Sequence, residues 1–154
     1  MDERQFMQYE PFFGKWYFSR ELGKGAYGHV YEVYCDEDGV RQMSALKVMH
    51  IPSEEALQLQ IEQQPNMDAV RNYFLAQVGK IMDEINILKK CQGHPNIVRY
   101  EEHSIIQNGE NGIGWDILIR MEELYPISPY FSRPGMSQLN VLRMWLDIAN
   151  ALCF

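Results

Sequence analysis

Residues 23–30 read Gly23-Lys24-Gly25-Ala26-Tyr27-Gly28-His29-Val30, a G-x-G-x-x-G-x-V string. Just upstream, Trp16, Phe18 and Leu22 fall on a roughly alternating face, the period of a half-buried strand that ends in the glycines. Just downstream, His29-Val30-Tyr31-Glu32-Val33-Tyr34 is rich in β-branched and aromatic residues and reads as a second strand. In dinucleotide-binding folds the same glycine spacing opens a helix; a strand follows here, which decides against such a site. The glycines therefore sit at a hairpin, where backbone N–H groups can approach phosphate oxygens with no side chain in the way. Taken alone, the string is also compatible with a plain glycine-rich hairpin.

Working outward, Asp36-Glu37-Asp38-Gly39 ends the second strand, and its Asp-Gly pair supplies the positive φ of a tight turn. A third strand, about Gln42 to His50, is expected to pair back, making the sheet antiparallel. The acidic turn lacks the long oxygen-ligand loop of a calcium site and reads as solvated. Beyond Pro52 the period changes. Ser53 to Gln64 reads as a short polar helix broken by Pro65, and a second helix starts near Asn66 or Asp68, either of which can cap it. Its Val70, Phe74, Val78, Ile81, Ile85 and Leu88 form one apolar stripe that must lie on the sheet. That helix is expected to stop at Gly93, with His94-Pro95-Asn96 as a turn.

Two more strands, Ile97 to Gln107 and Trp115 to Met121, flank Asn108-Gly109-Glu110-Asn111-Gly112 with its two Asn-Gly turn signals. Tyr125 to Gly135 reads as an extended connector. Leu139, Leu142, Trp145, Leu146, Ala149 and Leu152 then mark a strongly apolar C-terminal helix. The expected class is α+β: a five-stranded antiparallel sheet with one long helix packed on it, then a hinge and a final helix.

The 154 residues carry a formal net charge of -7, which opposes an extended nucleic-acid interface because phosphates call for clustered Lys and Arg. Cys35, Cys91 and Cys153 are widely spaced with no C-x-x-C pair, so neither a disulfide framework nor a zinc site is indicated. No secretory signal and no long apolar span is visible, and a cytoplasmic chain without membrane partners is expected.

Lys47, in Ala45-Leu46-Lys47, stands within an apolar strand run, and an inward lysine is costly unless an anion meets it. Glu84 lies on or beside the helix face marked by Ile81, Ile85 and Leu88 and is the candidate anion. For either residue by itself an exposed Lys and a solvated Glu is the simpler reading. The ordered set is more specific. Glycine loop, Ala45-Leu46-Lys47, Glu84-Ile85-Asn86-Ile87-Leu88-Lys89-Lys90, His94-Pro95-Asn96-Ile97-Val98 and Ile119-Arg120-Met121-Glu122-Glu123-Leu124 follow one another along the chain. Over nearly its whole length this resembles the N-terminal lobe of a protein kinase, particularly the serine/threonine type of bacteria, with residues 1–124 as that lobe and 125–154 as hinge and first helix of the second lobe.

The resemblance implies that Gly23, Gly25 and Gly28 cover the phosphates of ATP, while Lys47 contacts the α- and β-phosphates and pairs with Glu84. Leu22, Val30 and Ala45 would roof the adenine. Met121 matches the gatekeeper, Glu122 and Leu124 the hinge positions whose backbone binds the adenine edge, and Leu88 and Tyr100 the packed column behind the helix. The family's complete enzyme uses ATP with Mg2+ to phosphorylate a protein hydroxyl. This sequence departs from the pattern by an insertion at about 51–67, and the H-R-D-x-x-x-x-N loop and Asp-Phe-Gly ligand would lie beyond Phe154. No metal ligand is assigned, the chain alone is expected to be inactive, and the apolar helix 137–154 is expected to be covered by self-association or by a missing partner segment. The alternative is a noncatalytic kinase-like module that binds a nucleotide or a protein partner.

Overall fold

A strand with alternating apolar residues must bury one face and pair its backbone, and five such strands here share a single antiparallel sheet. The computed structural model describes residues 5–25, 28–108, 112–127, 129 and 137–153. The chain runs β1 (Tyr17–Gly25), β2 (Gly28–Glu37), β3 (Val40–Ile51), α1 (Glu54–Gln63), α2 (Met67–Lys90), β4 (Tyr100–Gln107), β5 (Trp115–Met121) and α3 (Gln138–Leu152). In space the strands lie β1-β2-β3-β5-β4. This is the α+β class, with five antiparallel strands, that the sequence leads one to expect.

Asp38 and Gly39 take φ of 52° and 77°, so the turn between β2 and β3 is as tight as its Asp-Gly pair allows. Pairing therefore continues to Glu37↔Val40, and both strands outrun their expected ends. β4 is shorter than expected, starting at Tyr100 instead of Ile97. Ile97 N–H donates back to the His94 carbonyl at 3.3 Å, and Arg99 N–H donates to the Glu122 carboxylate at 2.7 Å, so neither joins the ladder. The tips at 26–27 and 109–111, and most of the connector expected over Tyr125 to Gly135, lie outside the described residues.

Register sorts the side chains onto two faces. Val30, Lys47 and Ile119 form one cross-strand row, and Glu32, Ala45 and Met121 the next. This face receives α2, whose Val70, Phe74, Val78 and Ile85 pack against Met49, Tyr100, Ile117 and Ile119. Phe74 and Ile85 are fully buried, each contributing about 1.5–3 kcal/mol, so packing holds this helix more than propensity does. The opposite face is covered by residues upstream of β1, to which no element is assigned from sequence apart from Trp16, expected in the first strand but held instead in a bridge ahead of it. A 3₁₀ turn, Gln5–Tyr9, and a bridge between Phe12 and Trp16 bring Phe6, Phe12 and Trp16 onto Tyr31, Val33, Cys35, Leu46, Val48 and Leu118.

Asn66 caps α2, its side chain accepting from Ala69 N–H at 2.9 Å, with Asp68 in the first turn and Lys89 and Lys90 in the last, all favourable to the helix dipole. The helix ends at Lys90, ahead of the expected stop, and Gly93 belongs to the turn that follows. Asn66→Ala is expected to lower the unfolding free energy by about 1 kcal/mol, measured by urea denaturation; an unchanged midpoint would show that the cap is not needed.

α3 is capped by Ser137, and none of its residues is buried. Leu142, Trp145 and Leu146 are each at least 60% exposed, a continuous apolar face in solvent. Among the described residues no helix is long and apolar enough to cross a membrane.

Candidate functional site

Where β2 begins, β3 continues past it, and the space between this part of the sheet and the middle of α2 is open. The result is a cavity of about 500 Å³, with Gly28, Lys47 and Glu84 in its walls. Lys47 reaches it because β3 register sets residues 45, 47 and 49 on the α2 side of the sheet. Glu84 reaches it from one turn beyond Lys80 and Ile81 on α2. The lysine is half-buried and the glutamate exposed. They share the cavity, but among the described residues they do not form an ion pair. Half-buried without a carboxylate partner, the Lys47 ammonium is available to an anionic ligand.

The remaining predicted residues divide into two groups. Val30, Ala45 and Met121 share the α2 face with Lys47, with Ala45 directly opposite Met121. Leu22 sits at the irregularity where Glu21↔Tyr31 gives way to Gly23↔Val30, half-buried. Gly23 and Gly25 are exposed, and Gly25 pairs with Gly28 to close the hairpin. None of Leu22, Gly23, Gly25, Val30, Ala45, Met121, Glu122 or Leu124 lines the cavity around Lys47. Glu122 N–H is used by the Arg99 carbonyl at 3.0 Å, whereas the Glu122 carbonyl and Leu124 N–H make no hydrogen bond among the described residues. Leu124 is 61% exposed. Tyr100 is buried in the core behind α2, and Leu88 packs against that core.

Three features near the site were not read from the sequence. Arg20 on β1 donates to the buried Glu32 on β2 at 2.6 Å and approaches Glu123, between Glu122 and Leu124, at 3.7 Å. Hydrogen bonds from Arg20 and Ser19 hold the Glu32 carboxyl below its ordinary range, while burial, then a hydrogen bond shared with Glu32 and the Glu32 charge, raise that of Glu123. One arginine thus clips the first two strands to the segment after β5. The second feature is a buried carboxylate, Asp116, which accepts from Tyr9 Oη at 2.6 Å, from His50 Nδ1 at 2.6 Å and from Asn108 Nδ2. The third is Phe6, which comes from the N-terminal turn to line the same cavity as Lys47.

No protein-family model and no curated protein matches this chain.

Proposed function

We propose that this chain is the ATP-binding lobe of a protein serine/threonine kinase, and that the cavity around Lys47 takes the phosphate end of the nucleotide. The observation that carries the reading is the convergence of Gly28, Lys47 and Glu84 on one cavity from a glycine hairpin, a central strand and the long helix. The lysine, with no carboxylate partner among the described residues, supplies the charge that phosphate oxygens need, and the Glu122 carbonyl and Leu124 N–H, which make no hydrogen bond among the described residues, suit the edge of a purine. Val30, Ala45 and Met121, on the same face, are apolar and suit its ring.

Bound to Mg2+, ATP in this family gives its γ-phosphoryl group to a protein hydroxyl. These 154 residues contain no H-R-D-x-x-x-x-N or D-F-G string, so they bind and orient the nucleotide but do not supply the general base or the metal ligands. The exposed apolar face of α3 supports association with another apolar surface, including a second copy of the chain. Calorimetry with Mg-ATP tests the reading. Binding is expected to the unaltered chain and to be weakened about tenfold or more by Lys47→Ala, the loss of a charge-assisted contact. No binding, or equal binding by the Lys47→Ala chain, overturns it.

A further inference from the structure

We infer that residues 5–16 act as a strap that builds one wall of the Lys47 cavity, so that docking of the strap and the state of the cavity are coupled; only the identity of the occupant rests on the nucleotide reading. Phe6 is the member of this segment that lines the cavity, and it is 4% exposed. Its ring stacks on Tyr31 at 4.1 Å and 18°, and Tyr31 in turn lies parallel to His29 at 5.9 Å. Tyr31 and His29 are cavity residues too. The aromatic side of the cavity is therefore a stack with Tyr31 in the middle and Phe6 of the strap at its buried end.

A small number of discrete contacts fasten the strap. Tyr9 Oη donates to Asp116 and accepts from Asn108 Nδ2 at 3.0 Å. Glu10 Oε1 accepts from Phe18 N–H at 2.6 Å. Phe12 and Trp16, 1% and 3% exposed, anchor the far end. The segment lies across the face formed by β2, β3 and β5 and adds no strand to the ladder, so it can open as a unit while the strands beneath it stay paired. When it lifts, Phe6 leaves the cavity and Cys35, buried among the strap's aromatics, meets solvent. Coupling of this kind is reciprocal: a ligand that favours the closed cavity must also protect Cys35.

The full chain carrying Cys91→Ser and Cys153→Ser has Cys35 as its single thiol. Two rates are measured, Cys35 modification by an aromatic disulfide reagent and Lys47 acetylation by acetic anhydride located by mass spectrometry. They are compared in this background and with Tyr9→Phe or Phe6→Ala added. Tyr9→Phe removes the hydrogen bonds to Asp116 and from Asn108 and is expected to speed Cys35 modification about fivefold, with Lys47 acetylation rising alongside. Phe6→Ala is expected to raise both further. If Cys35 reacts no faster in either variant there is no strap. If it reacts faster while Lys47 does not, the strap exists without the coupling, and the inference is overturned. Both rates are read without nucleotide, so a failure of Mg-ATP to bind counts against the nucleotide reading and leaves the strap to be decided by the rates.

Discussion

Gly28→Ala is expected to lower the unfolding free energy by about 2–3 kcal/mol, seen as a fall in the urea midpoint, whereas Gly25→Ala is expected to change it by less than about 1 kcal/mol. Gly28 has φ of 137°, a conformation that residues with a Cβ rarely adopt. A methyl group there would collide with the Val48 carbonyl oxygen and press on the Met49 side chain at 3.1 Å. Val48 cannot yield, because it is 5% exposed and paired to His29 in the β2–β3 ladder. Beside Gly25 the nearest atom to such a methyl lies at 3.9 Å, ordinary contact, and Gly23 has open space. Of the three glycines only Gly28 is demanded by the fold. Gly25→Ala thereby isolates ligand approach: unchanged stability with weakened Mg-ATP binding would mean that its missing side chain serves the nucleotide. Equal stability of Gly28→Ala and the unaltered chain would contradict the packing argument.

How far the sequence could be read depended on the length of the periodic signal. β2, β3, β5 and α2 have several turns or alternations each, and their apolar residues land on the faces that the period requires. Ile97 to Arg99 looked like strand because Ile and Val favour it, but the His94 carbonyl and the Glu122 side-chain carboxylate claimed two of these N–H groups first. The N-terminal cover was missed because 3₁₀ and bridge segments have no period long enough to detect, although Phe6, Tyr9, Phe12, Phe13 and Trp16 make it unusually aromatic. Like Lys47, Glu32 in Val30–Tyr34 and Asp116 in Trp115–Ile119 are charges within apolar strands. Both are buried, and both are satisfied by partners from distant parts of the chain. Such partners are set by tertiary register, which local pattern does not contain. For the same reason the sequence could nominate Lys47 and Glu84 but not the spacing that leaves them unpaired across the cavity.

Asp116→Ala is expected to cost about 3 kcal/mol at neutral pH, because the carboxylate is 4% exposed and its removal leaves Tyr9 Oη and His50 Nδ1 without their acceptor. Burial by itself pushes the Asp116 carboxyl up, but the hydrogen bonds from His50 and Tyr9 outweigh it and hold the group below its ordinary value of 3.8. A carboxyl depressed in the folded chain adds stability that is complete above its unfolded-state value and is lost as pH falls through the folded one. The gap between the unaltered chain and Asp116→Asn, read from urea midpoints, is therefore expected to be constant from neutral pH down to about 5 and to shrink below 3.8. A gap that stayed level into strong acid would mean that the Asp116 charge contributes nothing and only its shape matters. Asp116 joins the N-terminal turn, β3, β5 and the Asn108 loop through Tyr9, His50 and Asn108. Its protonation should thus loosen the outer cover of the sheet before the α2 core, which a partial loss of near-ultraviolet circular dichroism, absent from a Trp16→Phe chain, would report ahead of helix loss in the far ultraviolet.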